Sequence, residues 1–116
     1  MFNIGENVRV YLAVGKTDMR KGINRLSEMV VGMVKEGLES GAIFVFRGGR
    51  ADRLKILWWD GQGFCLYYKC MDRGKFTWPN EKESGGTVGI TKGQLGMLIE
   101  GIDWRSPIWS NMPKYI

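Results

Sequence analysis

Six carboxylates stand where they could support metal chemistry: Asp18, Asp52, Asp60, Asp72, Glu100 and Asp103. A two-metal nuclease or strand-transfer enzyme needs three or more acidic ligands converging on Mg2+. Asp52, Asp60 and Asp72 instead occupy turn sequences, where Asp serves backbone hydrogen bonding. Asp52 and Asp72 fall in alternate turns and should share one rim of a sheet, with Asp60 at the opposite end. No catalytic set and no metal site is therefore assigned. The chain has no histidine. That removes Ser-His-Asp and Cys-His catalysis and every His-ligated metal site. Arg-Gly-Gly-Arg at residues 47–50 could cradle a phosphate with backbone amides, but it lacks the Lys-Ser/Thr and following helix of a P-loop. The reading is of a non-enzyme without a cofactor.

Cations carry the stronger signal. The 116 residues have a formal net charge of +5, which favours an anionic partner, nucleic acid being the commonest. Arg47, Arg50, Arg53 and Arg73 lie in or beside turns that alternate along the chain, so they should gather at one end of a sheet. In the simplest register Lys55, Lys69 and Lys75 fall opposite one another on three neighbouring strands. Like charges placed across strands destabilise a sheet, and a phosphate backbone passing over them would relieve this. Lysines also decorate open sheet faces with their heads in water, and that reading stands beside the first. Arg20, Lys21 and Arg25 crowd the start of a helix, where cations oppose its dipole. They would extend the same surface. Trp59 and Tyr67 fall on the basic face and could stack on bases, or pack under an adjoining loop.

These side chains need a frame. Residues 42–78 hold three short runs of β-branched and aromatic residues, with a fourth at residues 75–78, separated by Gly/Asp turns. That is the pattern of an antiparallel meander. Its other face collects Phe44, Phe46, Leu54, Ile56, Trp58, Leu66, Tyr68, Phe76 and Trp78. Upstream, residues 7–12 alternate as a half-buried strand, and residues 13–16 read as a connection. Thr17 or Asp18 can cap a long helix whose stripe is Met19, Ile23, Leu26, Val30, Met33 and Val34, ending at Gly37. Gly22 and Gly32 inside it would each cost about 1 kcal/mol. Residues 79–86 form a loop and 87–90 a short edge strand. Thr91 to Gln94 has capping-box spacing and opens a short second helix that buries Leu95, Leu98, Ile99 and Ile102. The expected fold is α+β: an antiparallel meander sheet of about five strands, one long helix packed on one face, and a short C-terminal helix.

The whole of residues 1–116 reads as a single domain with an aromatic tail over 103–116. The N-terminus lacks the basic and apolar regions of a signal peptide, and no apolar run can span a membrane. A cytoplasmic, nucleoid-associated protein with no membrane contact is expected. Cys65 and Cys70 would lie about 16 Å apart along one strand, too far for a disulfide, and should be free thiols.

Several segments together resemble a known family. They are residues 8–22 (Val-Arg-Val-Tyr-Leu-Ala-Val-Gly-Lys-Thr-Asp-Met-Arg-Lys-Gly), 44–50, 54–63, 73–79 and 95–104. The chain is similar to the TnpB accessory proteins of the insertion sequence 66 transposon family, over about residues 8–105. The resemblance implies a bacterial mobile-element protein encoded beside a separate, larger transposase. It assists transposition, and so DNA recombination, without carrying the strand-transfer chemistry, and the family offers no catalytic residues to transfer. Relatives tend to carry an arginine where this chain has Cys70, which thins the basic rim. Two functions stand ahead of a small nuclease, which ranks last. One is a non-catalytic factor that contacts DNA phosphates through a basic sheet face, using Arg47, Arg50, Arg53, Lys55, Lys69, Arg73 and Lys75. The other is a protein adapter that binds the transposase, or another element-encoded subunit, through the aromatic tail and the Trp59/Tyr67 patch.

Overall fold

The computed structural model describes residues 8–33, 41–80 and 86–105. Five strands and two helices follow in the order β1 (Val10–Lys16), α1 (Ile23–Val31), β2 (Ile43–Arg47), β3 (Arg53–Trp59), β4 (Phe64–Cys70), β5 (Thr87–Ile90) and α2 (Lys92–Ile99). They build one sheet in the order β4-β3-β2-β1-β5. Strands β2, β3 and β4 are the antiparallel meander read from the sequence. The sheet as a whole is mixed, because β1 and β2 run parallel. A parallel pair needs a long crossover, and α1 supplies it. β1 also continues through residues 13–16, with an irregularity in its pairing between Leu12 and Lys16.

The fourth meander strand expected at residues 75–78 does not form. That segment leaves the sheet after β4, and β5 takes the far edge against β1 instead. Helix α1 is also shorter than its apolar stripe. The chain turns at residues 18–21, with the Lys21 amide donating to the Asp18 carbonyl at 3.1 Å, and Gly22 is the N-cap. Gly32 is the C-cap. Both glycines thus stand at the ends of the helix, where their interior penalty does not apply. Val34 and Gly37 lie outside the described residues. α2 starts as its sequence dictates: Thr91 Oγ1 accepts from the Gln94 amide at 3.0 Å, and Gln94 Oε1 accepts from the Thr91 amide at 2.9 Å. Leu95, Leu98 and Ile99 are buried, but Ile102 is exposed.

Register decides which side chains share a face. Lys55 pairs with Phe46 and Tyr68, and Leu54 pairs with Arg47 and Lys69. One face therefore holds Ile43, Val45, Leu54, Ile56 and Tyr67. The other holds Phe44, Phe46, Lys55, Leu57, Leu66 and Tyr68. The expected grouping of Leu54, Ile56 and Trp58 with Phe44, Phe46, Leu66 and Tyr68 is one residue out in β3, and a one-residue slip exchanges the faces of a whole strand. The β2–β3 turn accounts for it. Gly48 and Arg53 are joined there at 3.0 Å, and Ala51 takes a left-handed conformation at φ 59°. An extra non-glycine residue in that region cannot be read from turn composition alone.

Both faces are covered. The first carries α2, Phe76 and Trp104, whose buried side chains join Val10, Leu12, Ile43, Val45, Leu54, Ile56, Ile90, Leu95, Leu98 and Ile99 in one core. The second carries α1, whose Leu26 and Val30 pack with Ala13, Ala42, Phe44, Phe46 and Leu57. Fully burying such a side chain contributes about 1.5–3 kcal/mol, so Leu26 and Val30, with the half-buried Ile23 and Met29 beside them, anchor the nine-residue helix. Of the tail, Trp104 wraps back onto the domain, its indole Nε1 donating to the Thr77 carbonyl at 2.8 Å. Residues 106–116 lie outside the described residues, as do 81–85 of the preceding loop. Among the described residues no helix is long and apolar enough to cross a membrane.

Candidate nucleic-acid interface

The parallel pair brings the carboxyl ends of β1 and β2 to the same end of the sheet, where Lys16 pairs with Arg47. The Thr17 amide donates to the Arg47 carbonyl at 2.8 Å and fixes the chain leaving β1 beside the β2–β3 turn. The segment following β4 reaches the same place. Met71 donates to the Asp52 carbonyl at 2.7 Å, and Phe76 donates to the Ala51 carbonyl at 2.6 Å. α1 starts here too, because it runs back from this end. Four chain segments thus form one rim carrying Lys16, Arg20, Lys21, Arg25, Arg47, Arg50, Arg53, Arg73 and Lys75 against Asp18, Asp52 and Asp72. Among the described residues cations outnumber carboxylates nine to three there, which makes the local field positive.

An open groove of about 550 Å³ lies in this rim between residues 16–19 and the turn at 48–53. Lys16, Arg50 and Arg53 line it, together with Asp18 and Asp52. Gly48 is needed at its floor, since a Cβ there would stand 2.9 Å from Met19 Cγ. A second cleft joins Asp18, Arg20, Lys21 and Arg25.

The rim cations are not equivalent. Arg20 is locked to Asp18, with Nη2 2.8 Å from Oδ2 and Nε 3.0 Å from Oδ1. That guanidinium holds the Asp18 carboxyl well below the usual carboxylate range, and Arg20 is raised in return. Both groups are exposed, so the pair fixes charge more than it stabilises the fold. Arg47 spends Nη1 on the carbonyls of Gly48 and Gly49, each at 3.3 Å, bracing the turn. Arg53 is exposed, and its Nη1 is 3.4 Å from the Tyr68 hydroxyl, a contact that raises its already high pKa. Arg73 lies 3.8 Å from Asp72, both fully in water. Lys16, Lys21, Arg25, Arg50 and Lys75 make no salt bridge among the described residues. Sequence alone does not single out Lys16, because residues 13–16 read as a connection rather than as the end of a strand.

Lys55 and Lys69 are elsewhere. The expected row of Lys55, Lys69 and Lys75 does not exist: the first two point to opposite faces, and Lys75 is not in the sheet. Lys55 is buried. Its Nζ donates to the Lys21 carbonyl at 2.8 Å and sits 4.7 Å from the centroid of the Tyr68 ring. Lys69 Nζ donates to the Ile99 carbonyl at 2.6 Å, at the carboxyl end of α2, where a cation is favoured. Both lysines position elements around the rim. Among the described residues no open basic sheet face remains, because Lys55 is buried and Lys69 is turned to the end of α2.

Trp59 and Tyr67 are likewise separated. Tyr67 pairs with Ile56 and packs on the first core. Trp59 lies on the other face at the far end of β3, edge-on to Phe64 with centroids 4.9 Å apart. Asp60 is in the adjoining turn, its Oδ1 accepting from the amides of Gln62 and Gly63, which lower its pKa. It therefore sits at the end opposite Asp52 and Asp72. Among the described residues no group of three or more His, Cys, Asp or Glu side chains could hold a metal ion. Both cysteines are free.

Comparison with known proteins gives a consistent result. The family model for the IS66 Orf2 like protein matches residues 8–108. Uncharacterized protein y4hO of Sinorhizobium fredii (strain NBRC 101917 / NGR234) is 47% identical over 107 residues, spanning 92% of this chain and 91% of the relative. Uncharacterized protein y4jC of the same organism is 34% identical over 112 residues, spanning 93% and 94%. No solved structure matches the chain.

Proposed function

Since the chain belongs to the IS66 Orf2-like family, we propose that it is a non-catalytic accessory factor in the transposition of a bacterial insertion sequence, and that it contacts DNA phosphates through the rim. The observation that carries the reading is the convergence of Lys16, Lys21, Arg25, Arg50 and Lys75 at one end of the sheet, without salt bridges among the described residues. Arg53 and Arg73 add to them. Charges left without partners at one site repel each other and gain when counterions or phosphates approach. Arg20 contributes less, because Asp18 already balances it. Lys55, Lys69 and Arg47 hold the frame. The protein would work in the cytoplasm, on the nucleoid. Phosphate contacts position a protein without reading bases, so sequence choice would rest with the separately encoded transposase.

The test is fluorescence anisotropy of labelled DNA at low salt, using the parent protein and an Arg50→Ala, Arg53→Ala, Arg73→Ala variant. The account expects binding by the parent and weakening of at least about tenfold in the variant, from three lost phosphate contacts. A second reading is a protein adapter for the transposase. It is favoured by the Trp59–Phe64 pair, with Phe64 exposed at the end away from the rim. Absence of DNA binding at low salt would select it.

A further inference from the structure

We infer that the nucleic acid held at the rim is double-stranded, gripped across its two backbones, and that single strands bind distinctly more weakly. The inference rests on the phosphate-contact reading above and adds which polymer the site accepts. Proteins that hold single strands combine a basic groove with aromatic rings on which bases stack. Here rings and cations are segregated. Trp59 and Phe64 stand at the far end of β3 and β4, about 20 Å from the rim for seven-residue strands. The Trp78 and Trp104 indoles are turned inward and donate to the Ala13 and Thr77 carbonyls at 2.8 Å each. Tyr67 packs on the first core. Among the described residues the one exposed ring near the rim is Tyr68, which already has Lys55 Nζ over it and Arg53 at its hydroxyl. Among the described residues a splayed base therefore finds no stacking platform beside the cations.

The rim also has the dimensions of a duplex groove. Lys16 ends β1, and Cys70, next to the Arg73 turn, ends β4, three strand spacings away. At about 4.8 Å per spacing the cations span roughly 14 Å. The major groove is about 12 Å wide, so cations at the two ends of the rim can reach backbones on either side of it. A single strand has the lower charge density of the two, so each phosphate contact with it releases fewer counterions.

The experiment compares a 24-base-pair duplex of arbitrary sequence with its own isolated strand by anisotropy at 50 mM salt, using the full chain. For five phosphate contacts, the slopes for duplex and single strand extrapolated from 1 M differ by roughly twentyfold in affinity at 50 mM. The expected result is that preference for the duplex, with Trp59→Ala leaving both affinities unchanged. Equal or tighter binding of the single strand, or loss of single-strand binding in Trp59→Ala, overturns the inference and leaves the phosphate contact standing. Binding of neither polymer overturns both.

Discussion

Lys69 Nζ donates to the Ile99 carbonyl across 2.6 Å, joining the end of β4 to the end of α2 over 30 positions of sequence. The lysine caps a helix that opens with its own capping box, so both ends of α2 are closed by side chains. It also explains a cation in a strand otherwise made of Phe64, Cys65, Leu66, Tyr67, Tyr68 and Cys70. The Lys69→Met substitution keeps the stem and removes the charge. It should lower unfolding stability by about 1.5–3 kcal/mol, the worth of a hydrogen bond from a charged donor. Urea denaturation gives this as a shifted midpoint with an unchanged slope, while the DNA affinity of the folded protein stays as in the parent.

The start of the same helix gives a smaller, separable effect. Thr91→Ala removes the acceptor of the Gln94 amide. Loss of an N-cap costs about 1 kcal/mol. Thermal melts should show it, and the effect should add to that of Lys69→Met, because the two residues sit at opposite ends of α2 and share no partner.

Gly101 lies just past α2 at φ 80°, and a Cβ there would come 2.6 Å from Met71 Cε. Gly101→Ala should therefore destabilise by about 1–2 kcal/mol through left-handed strain. The methionine end can move, so adding Met71→Ala should relieve the crowding but not the strain. Denaturation of the single and double variants separates the two contributions.

Acid should act through three exposed carboxylates, one of which, Asp18, belongs to the rim. Asp18, Asp60 and Asp103 are all held below the ordinary carboxylate range, by Arg20, by the Gln62 and Gly63 amides, and by Arg105 respectively. A carboxylate with a depressed folded value contributes stability that is complete above its unfolded value, about 4, and is lost as pH falls through the folded one. All three are exposed, so the loss is modest. Melting temperature should be flat from about pH 5 to 7 and fall below about 4. With no histidine in the chain, DNA affinity should also be flat between about pH 5.5 and 7.5.

Much of this architecture is written locally. The three meander strands, β5, the capping box and the buried stripe of α2 all follow from period, turn residues and cap chemistry. The gathering of Arg47, Arg53 and the Arg73 turn at one end follows from the alternation of turns. The closed second face was also signalled. Ile43 to Phe46 and Leu54 to Leu57 are buried without alternation, the mark of strands covered on both sides. Reading those runs as two-sided, one oily and one wet, placed Lys55 and Lys69 on an open surface. What the residues could not give was register, because it turns on the left-handed Ala51. Nor could they give the acceptors of the two lysines, which are carbonyls 34 and 30 positions away. The parallel pairing of β1 with β2 has a local sign in the helix between them, but the alternation alone ends β1 at residue 12.

The proposed contact with phosphate is made by the rim and not by a sheet face. The salt dependence of duplex affinity tests it most directly, as the slope of log K against log salt for the parent and for Arg50→Ala, Arg53→Ala, Arg73→Ala. Each phosphate contact contributes about 0.9 to the slope, so the account predicts a variant slope shallower by roughly 2–3. A variant whose slope and affinity match those of the parent would contradict it.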